Sequence, residues 1–210
     1  MRVAGLLLTF AFAASAVIID QVAVIVGNSI VKNSDIERDL RVTAFLNNDP
    51  VDLSRAARKK AADRLIDQIF IRREIFAGSY PRATKSEAEN QLKQLEQERF
   101  KSEAEFASAL KHYDISRDDV VTQFQWQLTV LRFVDARFKP AVLISDNEID
   151  KYYTAHAVAL RRQYPGKSAQ DLHDEISDIL TGEKVNKDFF SWLDDERKQS
   201  DIEYLEENLK

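Results

Sequence analysis

Residues 22–40 read VAVIVGNSIVKNSDIERDL, and this stretch decides the fold. β-branched residues alternate along two short runs on either side of Gly27-Asn28, a pair that is typical of a tight turn. The pattern predicts a β-hairpin, followed from Ser34 by a helix. Because an isolated hairpin is only marginally stable in water, it needs a partner strand. The alternating residues 201–205 (DIEYL) are the natural partner, so we expect the two chain ends to meet in one small sheet.

Helix starts are clearly marked along the rest of the chain. Four segments open with Ser or Thr followed three residues later by Glu, the pattern of a capping box in which both side chains satisfy free backbone amides. These pairs are Ser34/Glu37, Thr84/Glu87, Ser102/Glu105 and Ser145/Glu148, with Ser116/Asp119 as a weaker version. Apolar spacing then predicts helices over residues 34–46, 54–77, 84–100, 102–113, 116–138, 145–160, 169–180 (ended by Gly182) and 186–198. The expected fold is mainly α, a helical bundle with a small N-terminal β-hairpin joined by a C-terminal strand.

The first sixteen residues have the features of a secretory signal peptide. Arg2 gives a basic start, residues 3–14 are almost entirely apolar, and Ala14-Ser15-Ala16 forms an A-x-A cleavage site. The apolar run is shorter than the roughly 20 residues that span a bilayer, so no stable membrane anchor is expected. These features predict that residues 1–16 are removed on export. The alternative interpretation is that they form a buried first helix.

The composition argues against several classes of function. The chain has no cysteine, so neither disulfides nor thiolate catalysis is expected. Its five glycines do not fall at the spacing of a phosphate-binding loop, and His112, His156 and His173 include no i, i+4 pair that would bind zinc on a helix. A formal charge of −5 argues against nucleic acid as a partner. We expect no catalytic residue, no cofactor and no metal.

The predicted helix over residues 116–138 is apolar around much more than half of its circumference, whereas an amphipathic helix usually has one apolar face. At about 100° per residue, its apolar side chains form two stripes. The first contains Val120, Phe124, Leu128, Leu131, Val134 and Phe138, and the second contains Trp126, Val130 and Phe133. Either this helix lies in the middle of the bundle, or one stripe lines an apolar cleft that binds a partner segment. In the second case the second stripe is the candidate binding site.

Several segments resemble the SurA-type periplasmic chaperones. Residues 22–40 resemble the opening of that family, and RLIDQIFIRREI at residues 64–75 resembles its second helix. Residues 102–134 and ISDNEIDKYYTAH at residues 144–156 resemble its next segments in the same order. The resemblance implies a SurA N-terminal, trigger-factor-like chaperone domain over residues 17–160. Residues 161–185 stand where the family usually carries a parvulin isomerase domain, and residues 186–210 resemble the helix and strand that complete the chaperone domain.

The absence of a parvulin signature changes what the resemblance implies about function. The resemblance implies an ATP-independent periplasmic chaperone for unfolded or outer-membrane-type polypeptides. Its client-binding candidates are Trp126, Val130 and Phe133. Without a parvulin domain, the resemblance gives no reason to expect an enzyme. Two alternatives stay open: a scaffold or assembly factor with one dedicated partner, and a peptidyl-prolyl isomerase. Measuring whether the protein binds many unfolded clients or only one partner tests the first alternative. An assay of proline isomerisation in a tetrapeptide tests the second. Formation of a homo-oligomer is also left open.

Cleavage after Ala16 is directly testable. In a host that exports the chain, the mature protein should begin at Val17, because the small residues Ala14 and Ala16 suit signal peptidase. Intact-mass spectrometry and N-terminal sequencing of the periplasmic fraction measure this. Full-length protein recovered from the cytosol would contradict the prediction.

Overall fold

A three-stranded antiparallel sheet joins the two ends of the described chain. The structure is a computed structural model that describes residues 20–209, and the predicted signal peptide at residues 1–16 lies outside them. Strand β1 (Val22–Val26) lies between β2 (Ser29–Lys32) and β3 (Ile202–Tyr204), in the order β2-β1-β3. Gly27 has a φ of +54° at the turn, a conformation that favours glycine. The predicted hairpin and its C-terminal partner strand are both confirmed.

Seven α-helices fill most of the described residues, which confirms the mainly helical fold class. Short 3₁₀ turns follow α5 at Lys139–Ala141 and β3 at Glu207–Leu209. None of the helices between residues 20 and 209 combines the length and apolarity needed to cross a bilayer. The helices are α1 (Asn33–Asn47), α2 (Arg55–Ala77), α3 (Lys85–Arg99), α4 (Glu103–Tyr113), α5 (Arg117–Arg137), α6 (Asp146–Gln163) and α7 (His173–Gln199).

Three of the five predicted capping boxes form in full. Reciprocal capping boxes close the starts of α3, α5 and α6 through Thr84/Glu87, Ser116/Asp119 and Ser145/Glu148. At α4, Ser102 Oγ accepts from the Glu105 amide, but the Glu105 carboxylate accepts from the Lys101 amide instead of the Ser102 amide. The prediction for α1 was wrong by one residue, because the helix begins at Asn33. Its first-turn carboxylate is Asp35, which accepts from the Lys32 amide, while the Ser34 hydroxyl donates to Asp20.

Helix α7 corrects a second prediction, because it runs unbroken through Gly182 where two helices were expected. Gly182 is not among the glycines with a positive φ, and apart from its chain neighbours and its own helix backbone no described atom lies within 4 Å of the place where a Cβ would be. Packing on both sides offsets the weak helix propensity of glycine. Ile176 is fully buried against α6 residues, and Leu193 is buried in the main core.

Three groups of buried side chains hold the elements together. The main core joins the sheet, α1, α2, the end of α5 and the second half of α7. A side cluster joins the end of α1 to α3, α4 and the start of α5. A small α6–α7 cluster joins α6 to the first half of α7. Helices α1, α5 and α7 therefore each contribute to two groups, which fixes their positions relative to the other helices.

The C-terminal segment is fastened to α2 by polar as well as apolar contacts. The Tyr204 hydroxyl donates to Asp63 at 2.7 Å, and Arg197 Nε donates to Asp67 at 2.7 Å. Arg58 forms an ion pair with Glu206 at 3.2 Å. Leu209 follows β3 and is fully buried in the main core. The last residues of the described chain are thus part of the core.

Truncating Leu209 tests how much this closure contributes. Leu209→Ala should lower the free energy of unfolding by about 2–5 kcal/mol, because it leaves a cavity in the main core. Leu205→Ala is the matched control, since 43% of that leucine is exposed, and it should cost about 1 kcal/mol or less. Urea denaturation of both variants measures the difference. Equal losses would mean that Leu209 does not fill the core.

Candidate functional site

Helix α5 passes from the side cluster to the main core, which explains its two apolar stripes. Val120 and Phe124 near its start are buried in the side cluster. Phe133, and Phe138 just beyond its end, are buried in the main core. The central-helix alternative therefore accounts for part of the apolar surface of α5. Leu131 remains 63% exposed, so another part of the apolar surface of α5 is not covered by the bundle.

An open depression of about 530 Å³ lies between α2, α5 and α7, and we call it the apolar trough. Residues of α2, α5 and α7 line it. Its apolar lining consists of Ile71, Trp126, Val130, Leu131, Phe189, Phe190 and Leu193. Its polar lining consists of Arg64, Asp67, Gln68, Gln123 and Gln127. Large side chains on three helices thus converge on one concave surface.

Two of these side chains, Leu131 on α5 and Phe190 on α7, are exposed to solvent over 63% and 64% of their surface. The ring centroid of the neighbouring Phe189 lies 5.8 Å from that of Phe138, so Phe189 packs toward the main core. Adjacent residues on a helix point about 100° apart, so two consecutive phenylalanines cannot both face the same core. The Phe189-Phe190 pair is therefore the sequence signal for the exposed ring.

The structure separates the three predicted binding residues. Trp126 and Val130 are half-buried and line the apolar trough. Phe133 is fully buried, with its ring centroid 5.0 Å from that of Tyr80 and 5.6 Å from that of Trp192. Phe133 therefore has no surface in contact with the trough. The exposed trough residues Leu131 and Phe190 were not among the predicted candidates, because helical spacing assigned Leu131 to an inward stripe.

The charged residues in the trough wall are paired. Arg64 forms an ion pair with Asp39, and the Asp67 carboxylate accepts from Arg197 Nε at 2.7 Å. Burial raises the pKa of the Asp39 carboxyl even though Arg64 acts in the opposite direction. Because each charge has a partner, the trough has little local charge of its own. Its remaining polar groups are the uncharged amides of three glutamines, which can donate and accept hydrogen bonds.

The histidines are placed in ordinary surface contacts. His173 is half-buried and lies 3.2 Å from Asp174 and 3.3 Å from Asp146, and hydrogen bonds to both carboxylates raise the pKa of its imidazole. His156 Nδ1 lies 2.9 Å from the Tyr152 carbonyl. Within residues 20–209, no group of three or more His, Asp or Glu side chains is arranged to hold a metal ion. The apolar trough is therefore the candidate site.

Two substitutions on α5 test the assignment of Phe133 to the core and of Leu131 to the surface. Phe133→Ala should lower the free energy of unfolding by about 3–5 kcal/mol, because it removes a ring packed on three others. Leu131→Ala should change it by about 0.5 kcal/mol or less, since this side chain is mostly exposed. Chemical denaturation followed by circular dichroism measures both. A larger loss for Leu131→Ala would reverse the assignment.

Comparison with known proteins does not assign this chain to a family. No protein-family model matches the chain, and a search of curated proteins finds no match. Function is therefore inferred from the apolar trough and from the short motifs quoted above.

Proposed function

We propose that this protein is an ATP-independent periplasmic chaperone that holds unfolded polypeptides, including those of outer-membrane type, in the apolar trough. One observation carries the proposal: Leu131 and Phe190, on two different helices, are both mostly exposed and line the same concave surface. Contiguous exposed apolar side chains of this kind typically mark binding surfaces. An apolar groove between helices is also a common way to bind a partner segment.

The lining of the trough suits an unfolded chain better than a small polar ligand. An unfolded chain presents apolar side chains together with backbone amide and carbonyl groups. Leu131, Phe190 and Trp126 offer contact area to the side chains, while Gln123 and Gln127 offer amides to the backbone. Backbone groups are the same in every protein, so this combination favours binding without a strict sequence preference.

The surrounding charges support the same proposal, because a chaperone must expose apolar surface without aggregating. The chain has a formal charge of −5, and like-charged copies repel one another. Inside the trough, the pairing of Arg64 with Asp39 and of Asp67 with Arg197 leaves contacts that are mainly apolar. Apolar contacts are little affected by moderate salt, which screens exposed ion pairs.

The proposal includes the SurA-like architecture and the absence of isomerase activity. Residues 161–185 stand where that family carries its parvulin domain, and here they form the end of α6, a short connection and the first half of α7. This segment packs on α6 through Leu172 and Ile176. Residues 161–185 are thus mostly helical and pack within the bundle, and the role we propose is binding and not catalysis.

Replacing both exposed trough residues tests the proposal. Leu131→Gln combined with Phe190→Gln should weaken binding of an unfolded outer-membrane-type polypeptide by roughly tenfold or more, since burying one large apolar side chain contributes about 1.5–3 kcal/mol. The melting temperature should stay nearly the same, because both side chains are exposed. Fluorescence anisotropy of a dye-labelled client gives the affinity. Light scattering by several unrelated denatured proteins gives aggregation suppression.

The matched control replaces two exposed apolar residues away from the trough. Leu143 and Val158 are 83% and 79% exposed, so Leu143→Gln with Val158→Gln removes a similar amount of apolar surface. This variant should bind clients like the unchanged protein. Equal losses in the two double variants would count against the trough as the site. Suppression of aggregation for one protein among many would favour the dedicated-partner alternative.

A further inference from the structure

A second cavity, of about 360 Å³, adjoins the trough on the other side of Trp126, and we call it the Arg72 cleft. Its apolar walls include Ile75, Trp126 and Phe76, and Phe76 is 78% exposed. Two arginines, Arg72 and Arg82, also line it. Trp126 is part of the lining of both cavities, so the cleft and the trough share one side chain.

Both arginines of the Arg72 cleft lack a negative partner. No ion pair within residues 20–209 involves either guanidinium, and the side-chain hydrogen bond of Arg72, to Gln68 Oε1, is long at 3.5 Å. The Arg72 guanidinium stacks on the Trp126 ring, 4.1 Å from its centroid. Burial lowers the pKa of this guanidinium, and no neighbouring carboxylate acts in the opposite direction. The cleft therefore has uncompensated positive charge.

The carboxylates of neighbouring residues do not neutralise Arg72 or Arg82, because each of them is paired with another arginine. Asp39 pairs with Arg64, Asp119 with Arg38, Glu74 with Arg137, and Glu87 with Arg132. The Arg132 guanidinium and the capping contacts of Thr84 lower the pKa of the Glu87 carboxyl to about 2, so it stays ionised in its pair.

The loop that presents Arg82 is held rigidly against α5. The Ala83 amide donates to Thr129 Oγ1 at 3.0 Å, and Gln125 Nε2 donates to the Ala83 carbonyl at 2.9 Å. Arg132 donates to the Arg82 carbonyl at 2.9 Å. Thr129 is 6% exposed, so the anchor of this loop is buried. These hydrogen bonds fix the backbone of Arg82 and Ala83 at one wall of the cleft.

We propose that the Arg72 cleft binds the C-terminal carboxylate of a client polypeptide whose last side chain is apolar. The inference rests on the proposed chaperone function. Guanidinium groups bind carboxylates through paired, charge-assisted hydrogen bonds. A terminal residue carries a carboxylate and a side chain on the same Cα, which matches a cleft with arginines beside Trp126 and Phe76. An internal Asp or Glu brings its carboxylate without that adjacent apolar group.

Peptides that differ only at the C-terminus test this site. The probe is a dye-labelled octapeptide ending in Leu-Phe, made as the free acid, as the C-terminal amide, and as an amide with an internal Asp. Anisotropy titrations with the whole mature protein should give an affinity for the free acid roughly tenfold or more higher than for either amide, as expected for a charge-assisted contact. Arg72→Gln should remove this difference by weakening only the free acid.

The matched control is Arg162→Gln, which removes the same charge from the exposed end of α6 and should leave the difference intact. Arg82→Gln should reduce the difference, since Arg82 also lines the cleft. Equal affinity for the free acid and the amide would overturn the carboxylate site while leaving the chaperone proposal standing. The carboxylate site would also be overturned if Arg72→Gln weakened binding of the free acid and the amide equally. The same holds if the Asp-containing amide bound as tightly as the free acid. No binding of any peptide would overturn the site together with peptide binding in the trough.

Discussion

The pairing of β1 on both of its edges is the constraint on which the other elements depend. Ala23, Val24 and Val26 are fully buried, so this strand has to be covered by both neighbours and by helices. One neighbour is the adjacent strand of the hairpin, and the other, β3, comes from almost 180 residues further along the chain. The main core is complete only when the C-terminal segment has returned to β1. Because such a contact closes a very long loop, it forms at a high cost in chain entropy.

Closure of the sheet also determines where α7 lies, and through α7 it determines the apolar trough. Helix α7 leads directly into β3, so pairing of β3 with β1 places the end of α7 beside α2. Leu193 is then buried in the main core, while Phe190, less than one turn earlier, is exposed in the trough. One helix therefore supplies both core packing and a wall of the candidate site. Loosening the chain ends would move that wall as well as lower stability.

Local signals made most of the fold predictable, whereas long-range packing decided the rest. The boxes at Thr84, Ser116 and Ser145 are short-range hydrogen bonds that the sequence specifies directly. Gly182 was misleading, because packing on both sides carries α7 through a residue that usually marks a helix end. Spacing along α5 also could not tell Phe133 from Leu131. Which of these side chains is covered depends on where α7 returns, and no local pattern contains that information.

Clustering, and not exposure alone, distinguishes the trough from the remaining surface. Leu143 and Val158 are more exposed than Leu131, but neither lies in the trough, and single exposed apolar residues are normal in soluble proteins. Leu131 and Phe190 share one concave surface whose charges are neutralised by pairing. A ligand that fills this surface gains apolar contact while Arg64 and Asp67 keep their ion-pair partners. The uncompensated charge lies next to it at Arg72, so apolar and electrostatic recognition are divided between two adjoining cavities that meet at Trp126.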